Sequence, residues 1–193
     1  MKVIDILTNG ATMLGLVETA ITMQNSQKTD AEKLADADVG ELFRLFNLSI
    51  QELCTSYMPI LCSSKIETNN KTYPVASLNN CIRVNMVKCN DKEVKFKIIN
   101  RVINFETDGT YDVEFSSYPT FSSLNDDVSF LQQYGVDVAV FGLCAYYCLT
   151  KGMFEDFEKF HNAYLEKGNA LKDMKIFVMP QRRWEWKQKK ELR

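Results

Sequence analysis

The side chains with the most reactive chemistry in this sequence are six cysteines and a single histidine. A thiol beside an imidazole can act as a nucleophile when the base or a helix start lowers its pKa. Cys54, Cys62, Cys81, Cys89, Cys144 and Cys148 all sit in apolar neighbourhoods, with no glycine elbow and no cysteine opening a helix. His161 falls within a charged, amphipathic pattern and reads as a boundary residue of a helix. Cys144 and Cys148 are spaced i, i+4, which on a helix sets two thiols side by side. Zinc knuckles of the CxxC kind are absent, so the pair reads as small buried hydrophobes. A secreted disulfide scaffold would be smaller and denser in cysteine, and the chain reads as soluble, in a reducing compartment.

Carboxylates offer little more. Asp126-Asp127 precedes an apolar helical run, where acidic residues favour the positive end of the helix dipole, so capping explains the pair. Neither a GxxxxGK phosphate loop nor a GxGxxG fingerprint occurs. No catalytic residue, metal ligand set or cofactor is expected, and the enzyme reading has no positive support.

The end of the chain is different, because basic and aromatic residues interleave there. From Arg182 onward there are six Lys or Arg and two Glu, a local net of +4, and Trp184 and Trp186 are the only tryptophans. Tryptophan in an apolar groove, flanked by cations facing an acidic surface or phosphate, is a docking pattern. Pro180, Arg182, Arg183, Trp184, Trp186, Lys187, Lys189, Lys190 and Arg193 are the candidate docking residues. Composition leaves open whether the partner is protein or DNA.

The elements that must position these groups follow from a change of period. The 193 residues are 46% hydrophobic and 25% charged with net charge -2, which excludes wholesale disorder and a generally nucleic-acid-coating surface. No apolar run approaches the roughly 20 residues that span a bilayer, and the N-terminus lacks a signal-peptide apolar region. Residues 1–62 and 120–175 carry apolar side chains at helical spacing, whereas 63–119 alternates like short strands. The spacing predicts an α+β protein. A discontinuous helical bundle is interrupted, between its second and third long helices, by a small antiparallel sheet or barrel, and 176–193 forms an extended arm.

Within the bundle, Val3 to Met23 reads as one amphipathic helix or two shorter ones, since Gly10 and Gly15 weaken it. Thr29 or Asp30 caps a short helix running to Ala37. Asp38 with Glu41 makes a capping box for a helix whose Leu42, Phe46, Ile50 and Leu53 trace one face, ending near Pro59. In the strand region, Asn69-Asn70, Asn90-Asp91 and Asp108-Gly109 read as hairpin turns, with Glu93 to Ile98 a strand. Val136 to Leu149 is apolar nearly all round and predicts the central buried helix, stopped by Lys151-Gly152. A last helix, Phe154 to Asp173, turns Phe154, Phe157, His161 or Phe160, Tyr164 and Leu165 inward, and Ile176 to Pro180 reads as extended.

This order resembles the head–tail connector adaptors of tailed bacteriophages, nearest the gatekeeper or tail tubular proteins of short-tailed phages. Asn9-Gly10-Ala11-Thr12-Met13-Leu14-Gly15-Leu16-Val17-Glu18 is similar to the family's opening helix, and Val39 to Tyr57, with Asn47 and Gln51, to its second. The break at Lys151-Gly152 before Phe154-Glu155-Asp156-Phe157 looks like its closing helical pair, whereas the Pro180 to Trp184 ending departs from the pattern. The resemblance implies a virion protein, assembled in the host cytoplasm, that forms a dodecameric ring between portal and tail or nozzle. It further implies that the ring extends a channel for genomic DNA and that residues 182–193 dock on the portal. The competing reading is a small β-module binding protein on a helical scaffold.

Overall fold

The computed structural model describes residues 1–131 and 135–178, with side chains through Asp173. Helix α1 (Val3–Met13) and helix α2 (Val17–Gln24) are separate, because Gly15 takes φ +73°, a left-handed turn that breaks the run between them. Thr29, not Asp30, caps α3 (Asp30–Leu34): its Oγ1 accepts from the Glu32 N–H at 3.3 Å, while its own N–H donates to Glu32 Oε2 at 2.7 Å. That box holds the Glu32 carboxyl below its ordinary range, first through the backbone hydrogen bond from Thr29.

Helix α4 (Ala37–Ser56) corrects the expected cap. Asp36 is the N-cap, accepting from the Asp38 and Val39 N–H groups at 3.2 and 3.3 Å. Asp38 therefore lies inside the first turn, and Glu41 reaches out of the helix to Lys151 at 2.6 Å. Val39, Leu42, Leu45, Phe46, Ile50, Leu53 and Cys54 bury one face, as the spacing required. Helix α5 (Val136–Thr150) is the central helix, packed against α1, α4 and α6 (Phe154–Val178). Gly152 at φ +71° ends the turn after α5. On α6, Tyr164 is buried, but Phe154 points outward at 67% exposure, contrary to the inward face expected for it. The helix continues through Val178, so Ile176 to Val178 is helical rather than extended.

The inserted module starts at Ile60, three residues earlier than the sequence boundary, and holds seven strands among the described residues. They are β1 (Ile60–Glu67), β2 (Thr72–Pro74), β3 (Cys81–Cys89), β4 (Lys92–Glu93), β5 (Lys97–Ile99), β6 (Val102–Asn104) and β7 (Thr110–Ser117). They form two open antiparallel sheets, in orders β1-β7-β3-β4 and β2-β6-β5, and no closed barrel. Ile66, Val84, Val87, Ile103, Phe105, Tyr111, Val113 and Phe115 join both sheets in a second core.

Two of the three expected hairpins are corrected by this topology. Asn90-Asp91, at φ 50° and 61°, does join paired strands β3 and β4. The tight turn at Asn70-Lys71 closes a single antiparallel bridge, Asn69 to Thr72, but then carries the chain from β1 to β2, which lie in different sheets. Asp108-Gly109 likewise crosses between sheets, from β6 to β7. These two crossings brace each other: the Lys71 N–H donates to Asp108 Oδ1 at 2.5 Å and the Thr68 N–H to Gly109 O at 3.0 Å. Satisfied this way, the backbone groups have no need of a local ladder. The expected strand Glu93 to Ile98 is split between β4 and β5, again one in each sheet.

Candidate interaction surfaces and the site chemistry

The return from the module to the bundle is clamped by one side chain. Asn47, on α4, accepts from the Phe121 N–H at 2.9 Å and donates to Phe121 O at 3.4 Å and Phe43 O at 3.2 Å. Ile60, Ile82, Tyr118 and Phe121 pack against the helical core beside it. Asp126 and Asp127 serve the next turn of chain instead of capping α5, which starts after Gly135. Asp126 Oδ2 accepts from the Ser122 and Ser123 N–H groups at 2.8 and 2.9 Å, and Asp127 lies 3.7 Å from the Met1 amino group. Asp30 binds the same loop through Ser123 Oγ and Asn125 Nδ2 at 2.8 Å, and the Ser123 bond is the first cause of its lowered pKa.

Cys54, Cys144 and Cys148 are buried, the last two as their spacing predicted, and Cys62, Cys81 and Cys89 are half-buried. None of the six cysteines forms a disulfide. Burial pushes the Cys144 thiol up to about 12, with Cys148 adding repulsion, and Cys144 Sγ donates to Gly10 O at 3.7 Å. Burial raises Cys148 and Cys81 as well. A thiol kept protonated is a poor nucleophile and a poor metal ligand. His161 packs in a row of rings on α6, 5.0 Å from Phe157 and 6.3 Å from Tyr164 between centroids. Among the described residues, no group of three or more His, Cys, Asp or Glu is placed to hold a metal ion. No helix among them is long and apolar enough to cross a membrane.

The predicted docking residues Pro180, Arg182, Arg183, Trp184, Trp186, Lys187, Lys189, Lys190 and Arg193 lie outside the described residues. What the structure adds is a set of surfaces that sequence reasoning missed. Val17 and Ile21, one turn apart on α2, are 64% and 62% exposed. Leu149, Met153 and Phe154 are exposed around the α5–α6 turn. On the module, a groove of about 460 Å³ runs between the sheets, with Arg83, Arg101, Ile98 and Tyr118 on its walls. Val17 and Ile21 belong to an amphipathic run and Leu149 to one that is apolar nearly all round, so their outward placement had no signature in the spacing.

Charge divides along the same lines. Residues 1–62 and 120–175 hold nine Lys or Arg against sixteen Asp or Glu, whereas 63–119 holds eight against seven. The acidic body and the basic 182–193 run are thus of opposite sign. Comparison with known proteins returned no matching family model and no matching curated protein.

Proposed function

We propose that the chain is a non-enzymatic virion structural protein, a head–tail connector adaptor that forms a ring between portal and tail and extends the DNA channel. The observation that carries this reading is an acidic helical body with apolar side chains at two outward corners, continuous in sequence with a basic, tryptophan-bearing segment. Exposed apolar residues on separate elements of one body suit an assembly part that buries them against neighbours. The bundle interrupted by a β module supports the same reading, since that order of elements carries the family resemblance. In this reading the bundle forms the ring body, 182–193 docks on the portal, and the β module faces the tail or nozzle protein or the adjacent subunit. Channel-lining side chains then act collectively on genomic DNA, without sequence specificity.

One observation favours a second reading, a β-module binding protein on a helical scaffold: the groove between the two sheets, with Arg83 and Arg101 beside apolar wall residues. Native mass measurement of the full chain, alone and with portal protein, separates the two. The adaptor is expected as a ring of about twelve copies on the portal, and deletion of Pro180 to Arg193 abolishes that complex while leaving far-UV circular dichroism unchanged. A chain that stays monomeric with portal overturns the adaptor reading, and unchanged binding by the truncated chain overturns the arm.

A further inference from the structure

The groove between the two sheets and the corner where α5 meets α6 complement each other in polarity and in charge. Half-buried Val75, Ile82 and Tyr118 and the exposed Ile98 supply apolar wall to the groove. Between Cys81 and Arg83 the pairing of β3 with β7 slips by one residue. That bulge lets the neighbours Ile82 and Arg83 both border the groove, where a regular strand would send them to opposite faces. Arg101 joins them from the turn between β5 and β6. No carboxylate lines the groove, and neither arginine makes an ion pair among the described residues. Arg83 Nε donates to the neutral Asn85 Oδ1 at 3.1 Å, so its positive charge is not neutralised there.

The α5–α6 corner has the opposite character. Leu149, Met153 and Phe154 are 46%, 39% and 67% exposed. Its cations, Lys151 and Lys159, are engaged by Glu41 at 2.6 Å and by Asp156 at 3.0 Å. Glu155 and Glu158 are exposed and make no ion pair among the described residues. Phe154 and Glu158 are spaced i, i+4 on α6, so a ring and a carboxylate lie together on one face of its start. Covering a phenylalanine two-thirds open to water is favourable in proportion to the apolar area removed.

We propose that the groove takes the α5–α6 corner of a second copy of this chain, with Phe154 against its apolar wall and Glu155 and Glu158 toward Arg83 and Arg101. Arginine–carboxylate hydrogen bonds add direction to an apolar contact that has none of its own. The basic 182–193 run is disfavoured in the same groove, because it would set like charge against the two arginines. Corner and groove are different surfaces, so the contact is heterologous. Each copy offers its corner to one neighbour and its groove to the next, an arrangement that closes into a ring or runs on as a filament. This deepens the adaptor reading by making the adjacent subunit what the β module faces. It is tested without portal, so a failed portal complex and a failed subunit contact are separate results.

The test is sedimentation velocity of the full chain at rising concentration, together with two single variants and their mixture. The unaltered chain should associate progressively. Phe154→Ser spoils only the corner and Arg101→Glu only the groove, and both positions are exposed, so circular dichroism should not change. Each variant alone should associate about tenfold or more weakly. Mixed in equal amounts, the two should form a one-to-one pair and nothing larger, because one intact corner meets one intact groove and no second match remains. An unaltered chain that stays monomeric at millimolar concentration, a variant that associates as strongly as the unaltered chain, or a mixture without the pair overturns the proposal and gives the groove a different occupant.

Discussion

The helical body and the β module solve the burial problem differently. In the body, Val3, Ile6, Leu7, Leu42, Phe46, Ile50, Leu53 and Leu143 are all at 0% exposure, drawn from helices more than a hundred residues apart in the chain. In the module only Val87, Ile103 and Val113 reach 0%, Ile66, Val84, Phe105, Tyr111 and Phe115 keep 3% to 7%, and four of the seven strands are three residues or shorter. Two-residue and three-residue strands add few ladder bonds, so the module leans on its turns and on crossings braced by side chains. The contrast teaches where each region stores its stability: the body in long-range side-chain packing, the module in local backbone geometry and a thinner core.

Three substitutions probe that contrast, from the largest effect to the smallest. Phe46→Ala removes a fully buried ring that also packs 5.4 Å from Phe121, and should destabilise the protein by about 3–5 kcal/mol. Urea unfolding followed by circular dichroism measures it, and a loss near that of a surface mutation would mean that the body is not held by packing. Asn47→Ala should cost about 1–3 kcal/mol by leaving the Phe121 backbone groups without their clamp. Amide exchange should then quicken first at residues 118–124, where body and module meet. Exchange rising uniformly over the whole chain would mean that the junction has no separate identity. Asn100→Ala forces an ordinary side chain into φ 52° in the β5–β6 turn, and should cost about 1 kcal/mol. That loss should appear as faster exchange in β5 and β6 with the helical amides unchanged; a response in α4 or α5 would show the two cores to be one cooperative unit.

Legibility in the sequence follows the same division. Helices were readable because an amphipathic run reports its own buried face: Leu42, Phe46, Ile50 and Leu53 lie inward as their spacing demanded, and the apolar run of α5 is central. The cap of α4 moved from Asp38 to Asp36 because both acids are good caps and only the start of the helix, set by packing against α3, chooses between them. Strand existence was readable from alternation, but pairing was not. The Asp108-Gly109 dipeptide reads as a hairpin locally, while its carboxylate bond to the Lys71 N–H makes it a crossing between sheets. The β5–β6 turn at Asn100-Arg101, φ 52° and 61°, went unread although it is the same kind of turn as Asn90-Asp91. Of the candidate docking residues, the basic and aromatic character of 180–193 was legible from composition, whereas the exposed Val17, Ile21 and Phe154 needed coordinates.

By itself, the sequence determined the fold class, the placement of an inserted strand region between two helical runs, the central position of α5 and the opposite charge of body and terminal run. These are properties of spacing and composition, which act over one or two turns of chain. Only the tertiary structure decided that the strands divide into two open sheets, that Asn47 locks their exit, and that Arg83 and Arg101 border one groove. Those outcomes depend on which distant backbone and side-chain groups satisfy one another, and a single carboxylate or amide can settle that choice without altering any local pattern.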